Sequence, residues 1–149
     1  MGVIDSLRNC VVGFDTMPLI YYIEENPTYL NIVDPFFDAI ERGEFTVVTS
    51  IMTLLEVLVH PIRRGDVRLA QQYRSLLFDT EGLQTVLLSQ EIAEEAARLR
   101  AFYNIRTPDA VQLATAIKSK ADFFLTNDRD LPALAGLKIL KLDDLKKEA

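Results

Sequence analysis

The sequence has few of the side chains that build disulfides and most transition-metal sites. Its 149 residues include one cysteine, Cys10, and one histidine, His60. A single cysteine excludes an internal disulfide and any multi-cysteine metal site, and a single histidine excludes two-histidine acid–base chemistry and histidine-rich zinc sites. A reducing cytoplasm is the compartment that we expect for this chain.

Several sequence motifs are also missing. No apolar run reaches the roughly 18 residues of a membrane span, so we expect no membrane association. The six glycines form no G-x-G-x-x-G and no G-K-[ST], which excludes dinucleotide-binding and P-loop sites. No G-x-S-x-G turn supplies a serine nucleophile, and Cys10 falls in a predicted strand. The composition, 49% hydrophobic and 26% charged, is typical of a globular protein and predicts one domain over residues 1–149.

Positive charge is scarce. The sequence has 16 Lys and Arg and 22 Asp and Glu, which gives a net charge of −6 at pH 7. A protein that binds nucleic acid by charge alone usually has a basic surplus. If this protein binds nucleic acid, it needs a local basic face or bound cations.

Short apolar segments alternate with amphipathic segments along the chain. The apolar segments predict five strands: Cys10–Phe14, Phe45–Thr49, Thr85–Leu88, Phe123–Thr126 and Lys138–Leu140. The amphipathic segments predict helices: Pro18–Glu25, Tyr29–Glu41, Ile51–Arg64, Val67–Phe78, Gln90–Tyr103, Thr107–Lys120 and a short one at Leu131–Leu134. Alternation of this kind favours an α/β fold, with a central, mostly parallel sheet of four to five strands between two layers of helices.

Local signals mark several helix ends. Ser50 and Asp66 are expected N-caps, and Gly65 is expected to end the helix that Ser50 begins. Thr107 followed by Pro108 predicts another capped helix start. The residues before Cys10 are interpreted as a short lead-in.

Four acidic residues occupy unexpected positions. Asp15 and Asp128 follow predicted strands, where each could serve as a helix cap. Glu56 is surrounded by apolar residues in its helix, so we expect it to be buried and paired with an arginine or with His60, or to be a ligand. Asp109 lies in the first turn of an apolar helix, where the helix dipole alone would favour an acid.

As a set, the four acids point to one edge of the sheet. The carboxyl ends of parallel strands, and the helices that follow them, meet where such sheets bind ligands. Converging carboxylates repel one another unless a cation lies among them. Oxygen ligands suit hard ions, so the residues suggest a Mg²⁺ or Mn²⁺ site.

Four segments in this order and spacing resemble the PIN-domain ribonucleases, and especially the VapC-type toxins of toxin–antitoxin pairs. The segments are FDTMPLIYYIE (Phe14–Glu24), TSIMTLLEVLVHP (Thr49–Pro61), RTPDAVQLATA (Arg106–Ala116) and FLTNDRDL (Phe124–Leu131). The resemblance implies a PIN-like α/β/α fold and metal-dependent hydrolysis of RNA phosphodiesters. It assigns the catalytic and metal-binding carboxylates, with an auxiliary acid and two supporting hydroxyls: Asp15, Glu56, Asp109 and Asp128, then Asp130, then Thr16 and Thr126.

The resemblance also implies partners. RNA would be the substrate, and its candidate contacts are arginines: Arg63, Arg64, Arg68 and Arg106, with Arg74, Arg98 and Arg100 nearby in sequence. Family dimers use the early helices, here Tyr29–Glu41 and Ile51–Arg64. The sequence contains no helical DNA-binding segment, so a cognate antitoxin would come from another gene.

Two other functions fit parts of the pattern. A PIN fold could bind RNA or protein without cutting, although four retained acids argue against this alternative. A phosphoacceptor signalling domain also places carboxylates and Mg²⁺ at strand ends. It would need two acids after the first strand and a lysine after the last, whereas the motif FDTM has one acid and Lys138 begins the last strand.

Overall fold

A parallel five-stranded sheet forms the centre of the molecule. The computed structural model describes residues 2–146. Its strands lie in the spatial order β3-β2-β1-β4-β5 and all neighbouring pairs are parallel. The strands are β1 (Val11–Phe14), β2 (Thr46–Ser50), β3 (Leu83–Val86), β4 (Phe123–Thr126) and β5 (Lys138–Lys141).

The middle strand, β1, pairs with β2 on one side and with β4 on the other. The chain therefore builds one half of the sheet outward from β1 and then crosses back to build the other half. This change of direction lies between β1 and β4, and a crevice opens there beyond the carboxyl ends of the two strands.

Eight helices are present within residues 2–146 and cover both faces of the sheet, which confirms the predicted α/β/α fold class. They are α1 (Val3–Ser6), α2 (Thr16–Ile23), α3 (Leu30–Glu41), α4 (Ile51–Arg64), α5 (Val67–Asp79), α6 (Gln90–Phe102), α7 (Thr107–Lys118) and α8 (Leu142–Leu145).

The two faces of the sheet are packed with different side chains. Helices α2, α3 and α5 enclose an aromatic core in which Phe14 makes edge-to-face contacts with Phe36 and Phe37, at centroid distances of 6.4 and 5.8 Å. On the opposite face, α6 and α7 contribute mainly alanine and leucine. Small side chains let a helix approach a sheet closely.

Gly13 in β1 shows how close this approach is. A Cβ atom at this position would lie 2.8 Å from the Cβ of Ala116 in α7 and 2.9 Å from Cδ1 of Phe124. Only glycine fits there without a shift of α7, so the residue brings the helix against the centre of the sheet.

Several predicted ends are confirmed. Ser50 accepts a hydrogen bond from the Met52 amide, Asp66 accepts one from the Leu69 amide, and Gly65 ends α4 with φ of 69°. The prediction for Thr107 is wrong: the N-cap of α7 is Arg106, with no side-chain cap, and Thr107 is already helical.

Other predicted elements also differ. The third strand is Leu83–Val86, not Thr85–Leu88, because its pairing with β2 begins at Leu83 and leaves Leu87 and Leu88 exposed. No helix forms at Leu131–Leu134, where an isolated bridge joins Leu134 to Leu137. The lead-in contains α1, which packs against the aromatic core through Val3 and Ile4.

No helix within the described part of the chain is both long enough and apolar enough to cross a membrane.

Candidate active site

A cavity of about 510 Å³ opens at the carboxyl ends of β1 and β4. Among the residues that line it are five carboxylates, contributed by separate parts of the chain: Asp15, Glu56, Asp109, Asp128 and Asp130. The structure therefore places all the acids singled out in the sequence around one space, together with Thr16.

Asp15 is the buried member of this group. It follows β1 and caps α2, with Oδ1 accepting from the Thr16 amide at 2.8 Å and Oδ2 accepting from the Thr126 hydroxyl at 2.7 Å. Burial raises the pKa of Asp15 to about 6; the two hydrogen bonds oppose this rise, and the negative charges of Asp109 and Glu56 add to it. Asp15 thus serves as a helix cap and also faces the other acids.

Glu56 is exposed, and the prediction that it is buried is wrong. Its apolar neighbours do not enclose it, because α4 turns Leu55 and Val59 toward solvent. Glu56 Oε1 accepts a hydrogen bond of 2.7 Å from the Thr16 hydroxyl, which holds the carboxylate at the cavity. His60, one turn further along α4, is exposed as well.

Asp109 extends into the cavity from the first turn of α7. Its Oδ2 lies 3.2 Å from Nε of Arg106, the residue that precedes the helix. The position is favourable for an acid because the start of a helix carries partial positive charge. The close contact of α7 with Gly13 brings this turn near Asp15, whose pKa Asp109 raises.

Asp128 and Asp130 lie in the loop after β4. The Asp128 amide donates to the Thr126 hydroxyl at 3.0 Å, and Asp128 Oδ1 accepts from the Asp130 amide at 2.9 Å. Asp128 therefore caps a turn, since no helix follows. Thr126 connects this loop to Asp15, because its hydroxyl donates to the Asp15 carboxylate and accepts from the Asp128 amide.

A buried network of hydroxyl and amide groups, not predicted from the sequence, supports the acids. Gln112 Nε2 donates to the hydroxyls of Thr16 and Thr53, at 3.2 and 2.5 Å, and its Oε1 accepts from the Ser50 amide. Gln112 lies one turn after Asp109 and is the polar exception among the buried residues Ala110–Leu113. The reasoning applied to Glu56, that a polar residue on an apolar helix face needs a partner, would have found it.

Asn127 is a second residue of the site that was not predicted from the sequence. Its Nδ2 donates to the Tyr21 hydroxyl at 3.1 Å, and both residues line the cavity. Its Oδ1 is buried and has no hydrogen-bond partner among residues 2–146. An unpaired buried carbonyl oxygen costs free energy, so this atom is an available acceptor beside the acids.

The donor set suits a hard divalent cation. All five acids offer oxygen, and Asp15 carries its carboxylate at low solvent exposure, where a cation would stabilise the charged form. Within residues 2–146, no three His, Cys, Asp or Glu side chains are arranged so that they could hold a metal ion as they stand. The carboxylates of Asp15, Glu56 and Asp109 instead accept hydrogen bonds from Thr16, Thr126 and Arg106.

The candidate arginines lie in different places. Arg106 lines the cavity. Arg63 and Arg64 occupy the last turn of α4. Because a helix of 14 residues is about 20 Å long, they lie far from the sheet edge at which α4 begins. Arg68 is exposed in α5.

Comparison with known proteins identifies the fold. A family model for the PIN domain matches residues 13–137. Comparison with curated protein sequences gives no significant match.

Solved structures are similar over nearly the whole chain. A toxin–antitoxin complex from Klebsiella pneumoniae contains a chain with 25% identity and a TM-score of 0.63, covering 87% of this chain and 95% of that one. VapBC2 from Rickettsia felis, bound to a DNA fragment from its promoter, gives 17% identity and a TM-score of 0.63, with 88% and 98% covered. DNA-bound VapBC from Salmonella typhimurium gives 18% identity and a TM-score of 0.60, with 90% and 98% covered.

The last two similarities support the fold. The family model covers the segments that carry Asp15, Glu56, Asp109 and Asp128, from the last residues of β1 through β4. The resemblance noted in the sequence is thereby confirmed, and the chain belongs to the PIN-domain family.

Proposed function

We propose that the protein is a Mg²⁺- or Mn²⁺-dependent ribonuclease that hydrolyses RNA phosphodiester bonds. The observation that carries this proposal is the single cavity lined by Asp15, Glu56, Asp109 and Asp128 at the β1/β4 crevice. These carboxylates would hold the ion, and Asp130 would be an auxiliary ligand. Such an ion supplies positive charge to the phosphate and lowers the pKa of an attacking water.

The protein's own residues have separate tasks in this scheme. Thr16 and Thr126 orient the carboxylates of Glu56 and Asp15 through hydrogen bonds of 2.7 Å each. A carboxylate of the cavity would accept the proton from the attacking water. Arg106 at the rim would contact the RNA, while Arg63, Arg64 and Arg68 would extend the RNA path outside the cavity.

We further propose that the ribonuclease is the toxin of a toxin–antitoxin pair, located in the cytoplasm. The solved structure with 25% identity is a toxin–antitoxin complex, and its matching chain is covered over 95% of its length. The antitoxin would be a separate protein. We also propose that residues 1–149 form a single PIN domain.

A homodimer is the proposed assembly. The expected dimer helices correspond to α3 and α4, and α4 has an exposed apolar stripe at one-turn spacing: Leu55, Val59 and Ile62. Burial of such a stripe by a second copy would remove apolar surface from water. Sedimentation at micromolar concentration should give twice the monomer mass, and a monomer would count against this assembly.

The activity is tested with purified protein, single-stranded RNA and controlled metal. Cleavage should require Mg²⁺ or Mn²⁺ and stop in EDTA. Glu56→Gln removes one charge from an exposed side chain, so it should keep the circular dichroism spectrum and lose nearly all cleavage. Glu94→Gln, an exposed carboxylate on α6 outside the cavity, is the matched control and should cleave normally. Full activity in EDTA would refute the metal mechanism, and RNA binding without cleavage would indicate a non-cleaving module.

A further inference from the structure

Arg106 is the one cationic side chain among the described residues that line the acidic cavity. Its Nε donates to Asp109 Oδ2 at 3.2 Å. The negative charge of Asp109 is the main cause of the raised pKa of Arg106, and Asp128 and Glu56 add to the effect. The guanidinium therefore contacts Asp109 and shares the cavity with Asp128 and Glu56, two more of the four acids assigned to the metal.

The contact between Arg106 and Asp109 can be broken at little cost. The Arg106 side chain is 80% exposed, while the carboxylate of Asp109 is 15% exposed. Arg106 is the N-cap of α7 but makes no side-chain capping bond, so the helix does not depend on it. Ion pairs with a solvent-exposed partner contribute little to stability. The guanidinium is free to leave, whereas the acid is held by the helix.

A divalent ion and the guanidinium would compete for the same carboxylate. Both are cations, and Asp109 Oδ2 cannot accept the Arg106 bond and coordinate an ion in the same direction. The acids need a counter-charge when no ion is bound, because like charges in one cavity repel one another. Arg106 supplies that charge.

We propose that Arg106 is an exchangeable counter-ion of this site, paired with Asp109 until a divalent ion binds and then released to hold a phosphate of the RNA. The proposal rests on the proposed function and adds an order of events to it. Arginine suits the second role because its planar guanidinium binds phosphate oxygens with two parallel hydrogen bonds. In a chain of net charge −6, a cation at the cavity rim also offsets repulsion between the acids and the substrate.

The proposal predicts effects of opposite sign from one substitution. Without Arg106, the ion has no competitor and meets less positive charge, so Mn²⁺ should bind more tightly. RNA should bind less tightly, because a phosphate contact is lost. A residue that merely oriented Asp109 would weaken Mn²⁺ binding when removed.

The chain provides a matched control. Arg98 Nη2 lies 3.3 Å from Glu95 Oε1, with the same three-residue spacing on a helix and with the side chains 68% and 10% exposed. Neither residue lines the cavity. Arg98→Gln therefore removes the same charge from an ion pair at another place, where Glu95 Oε1 keeps a second cation, Lys118 Nζ, at 3.8 Å.

The first measurement is Mn²⁺ binding without RNA, by calorimetry or by electron paramagnetic resonance, for wild type, Arg106→Gln, Arg106→Lys and Arg98→Gln. Arg106→Gln should tighten Mn²⁺ binding about 3- to 10-fold, as expected for one charge removed near the surface. Arg106→Lys should stay close to wild type because it keeps the charge, and Arg98→Gln should match wild type.

The second measurement is the KM for single-stranded RNA at several salt concentrations with saturating Mn²⁺. Arg106→Gln should raise KM about tenfold and reduce the slope of log(1/KM) against log[salt] by about 0.7, the value for one lost contact to a single strand. Arg106→Lys should recover most of the slope but less of the KM, since an ammonium lacks the two-bond geometry.

The outcomes separate the two proposals. If wild type binds Mn²⁺ and cleaves RNA while Arg106→Gln binds Mn²⁺ equally or more weakly, the exchange is refuted and the ribonuclease stands. Tighter Mn²⁺ binding with an unchanged KM and salt slope also refutes the exchange, because the released arginine would then have no phosphate to hold. If wild type neither binds Mn²⁺ nor cleaves RNA, both proposals fail.

Discussion

The two faces of the sheet contribute differently to this molecule. The face under α2, α3 and α5 holds large aromatic side chains in edge-to-face contact, among them Phe14, Phe36 and Phe45. The face under α6 and α7 is packed by small residues such as Ala114 and Ala116, which sit close to the sheet. The first arrangement buries much apolar area, and the second brings α7 close to β1.

This difference separates stability from function. Burial of aromatic side chains is a main source of folding free energy. Asp15 at the carboxyl edge has the reverse effect, since it is buried near the negative charges of Asp109 and Glu56. The alanine-rich packing of α7 is what brings Asp109 to this edge. We therefore expect substitutions on the aromatic face to affect folding, and substitutions at the edge and under α7 to affect ion binding.

The largest effect is expected from Phe36→Ala on the aromatic face. Phe36 is buried, with edge-to-face contacts at 6.4 Å to both Phe14 and Phe45. Truncation should lower the free energy of unfolding by about 3–5 kcal/mol, measured by urea denaturation. The Mn²⁺ affinity of the folded molecules should not change. If this variant does not fold, Phe36→Leu tests the same point with a smaller loss, and weaker Mn²⁺ binding by a folded variant would contradict the separation.

Asp15→Asn should stabilise the metal-free protein at neutral pH. The pKa of Asp15 is about 6 in the folded protein and about 3.8 when unfolded, so between these values the folded state holds more protons. Stability should therefore fall as pH rises from about 4 to about 6, by about 3 kcal/mol in total. The asparagine variant lacks this contribution.

The measurement for Asp15→Asn is urea denaturation in EDTA at pH 4 and pH 7.5. Relative to wild type, the variant should gain up to about 3 kcal/mol on going to the higher pH. Asp34→Asn, an exposed position on α3, should show no such gain. A constant difference between Asp15→Asn and wild type at both pH values would mean that Asp15 is charged at little cost.

A smaller loss of stability, with a loss of ion binding, is expected from Ala116→Val. The Ala116 side chain lies against Gly13, so two added methyl groups should push α7 away from β1 and cost about 1–3 kcal/mol. Asp109 would move with the helix, and Mn²⁺ binding should weaken. Ala39→Val, a buried alanine on α3, is the matched control. Similar Mn²⁺ affinities for the two variants would show that α7 packing does not position the site.

Much of the fold was predictable because the signals are local. The N-caps Ser50 and Asp66 set the starts of α4 and α5, and the left-handed Gly65 sets the end of α4. Each signal lies within a few residues of the helix end that it determines. The start of the third strand was not predictable, because Leu87 and Leu88 are as apolar as strand residues. Pairing with β2, a contact distant in sequence, selects Leu83–Val86 instead.

The acids were found because each is unusual within its own segment. The burial of each acid depends on which face of its helix is oriented toward the core. The wrong prediction that Glu56 is buried came from this dependence. The period of α4 does not indicate that Leu55 and Val59 face solvent rather than enclose the carboxylate. The local pattern of α7 could have singled out Gln112, but its contacts join α7 to α2 and α4, so no local pattern contains its partners.

The smallest effect expected, Asp109→Asn, asks whether this acid is a helix residue or a member of the cluster. If Asp109 only serves the start of α7, the variant should lose up to about 1 kcal/mol with or without metal. If it belongs to the cluster, loss of its charge relieves repulsion with Asp15, and the variant should melt at the same or a higher temperature than wild type in EDTA. The bond to Arg106 reduces this gain, because the arginine already offsets part of the charge.

Added Mn²⁺ decides between these two interpretations of Asp109. A ligand that binds only the folded state raises its stability according to affinity and concentration, so millimolar Mn²⁺ should raise the melting temperature of wild type more than that of Asp109→Asn. Glu94→Gln should respond to Mn²⁺ as wild type does. If Asp109→Asn loses the same number of degrees in EDTA and in Mn²⁺, Asp109 only stabilises its helix. The cluster would then consist of Asp15, Glu56 and Asp128. Asp109, on the α7 side of the sheet, would contribute to stability alone, as the residues of the aromatic face do.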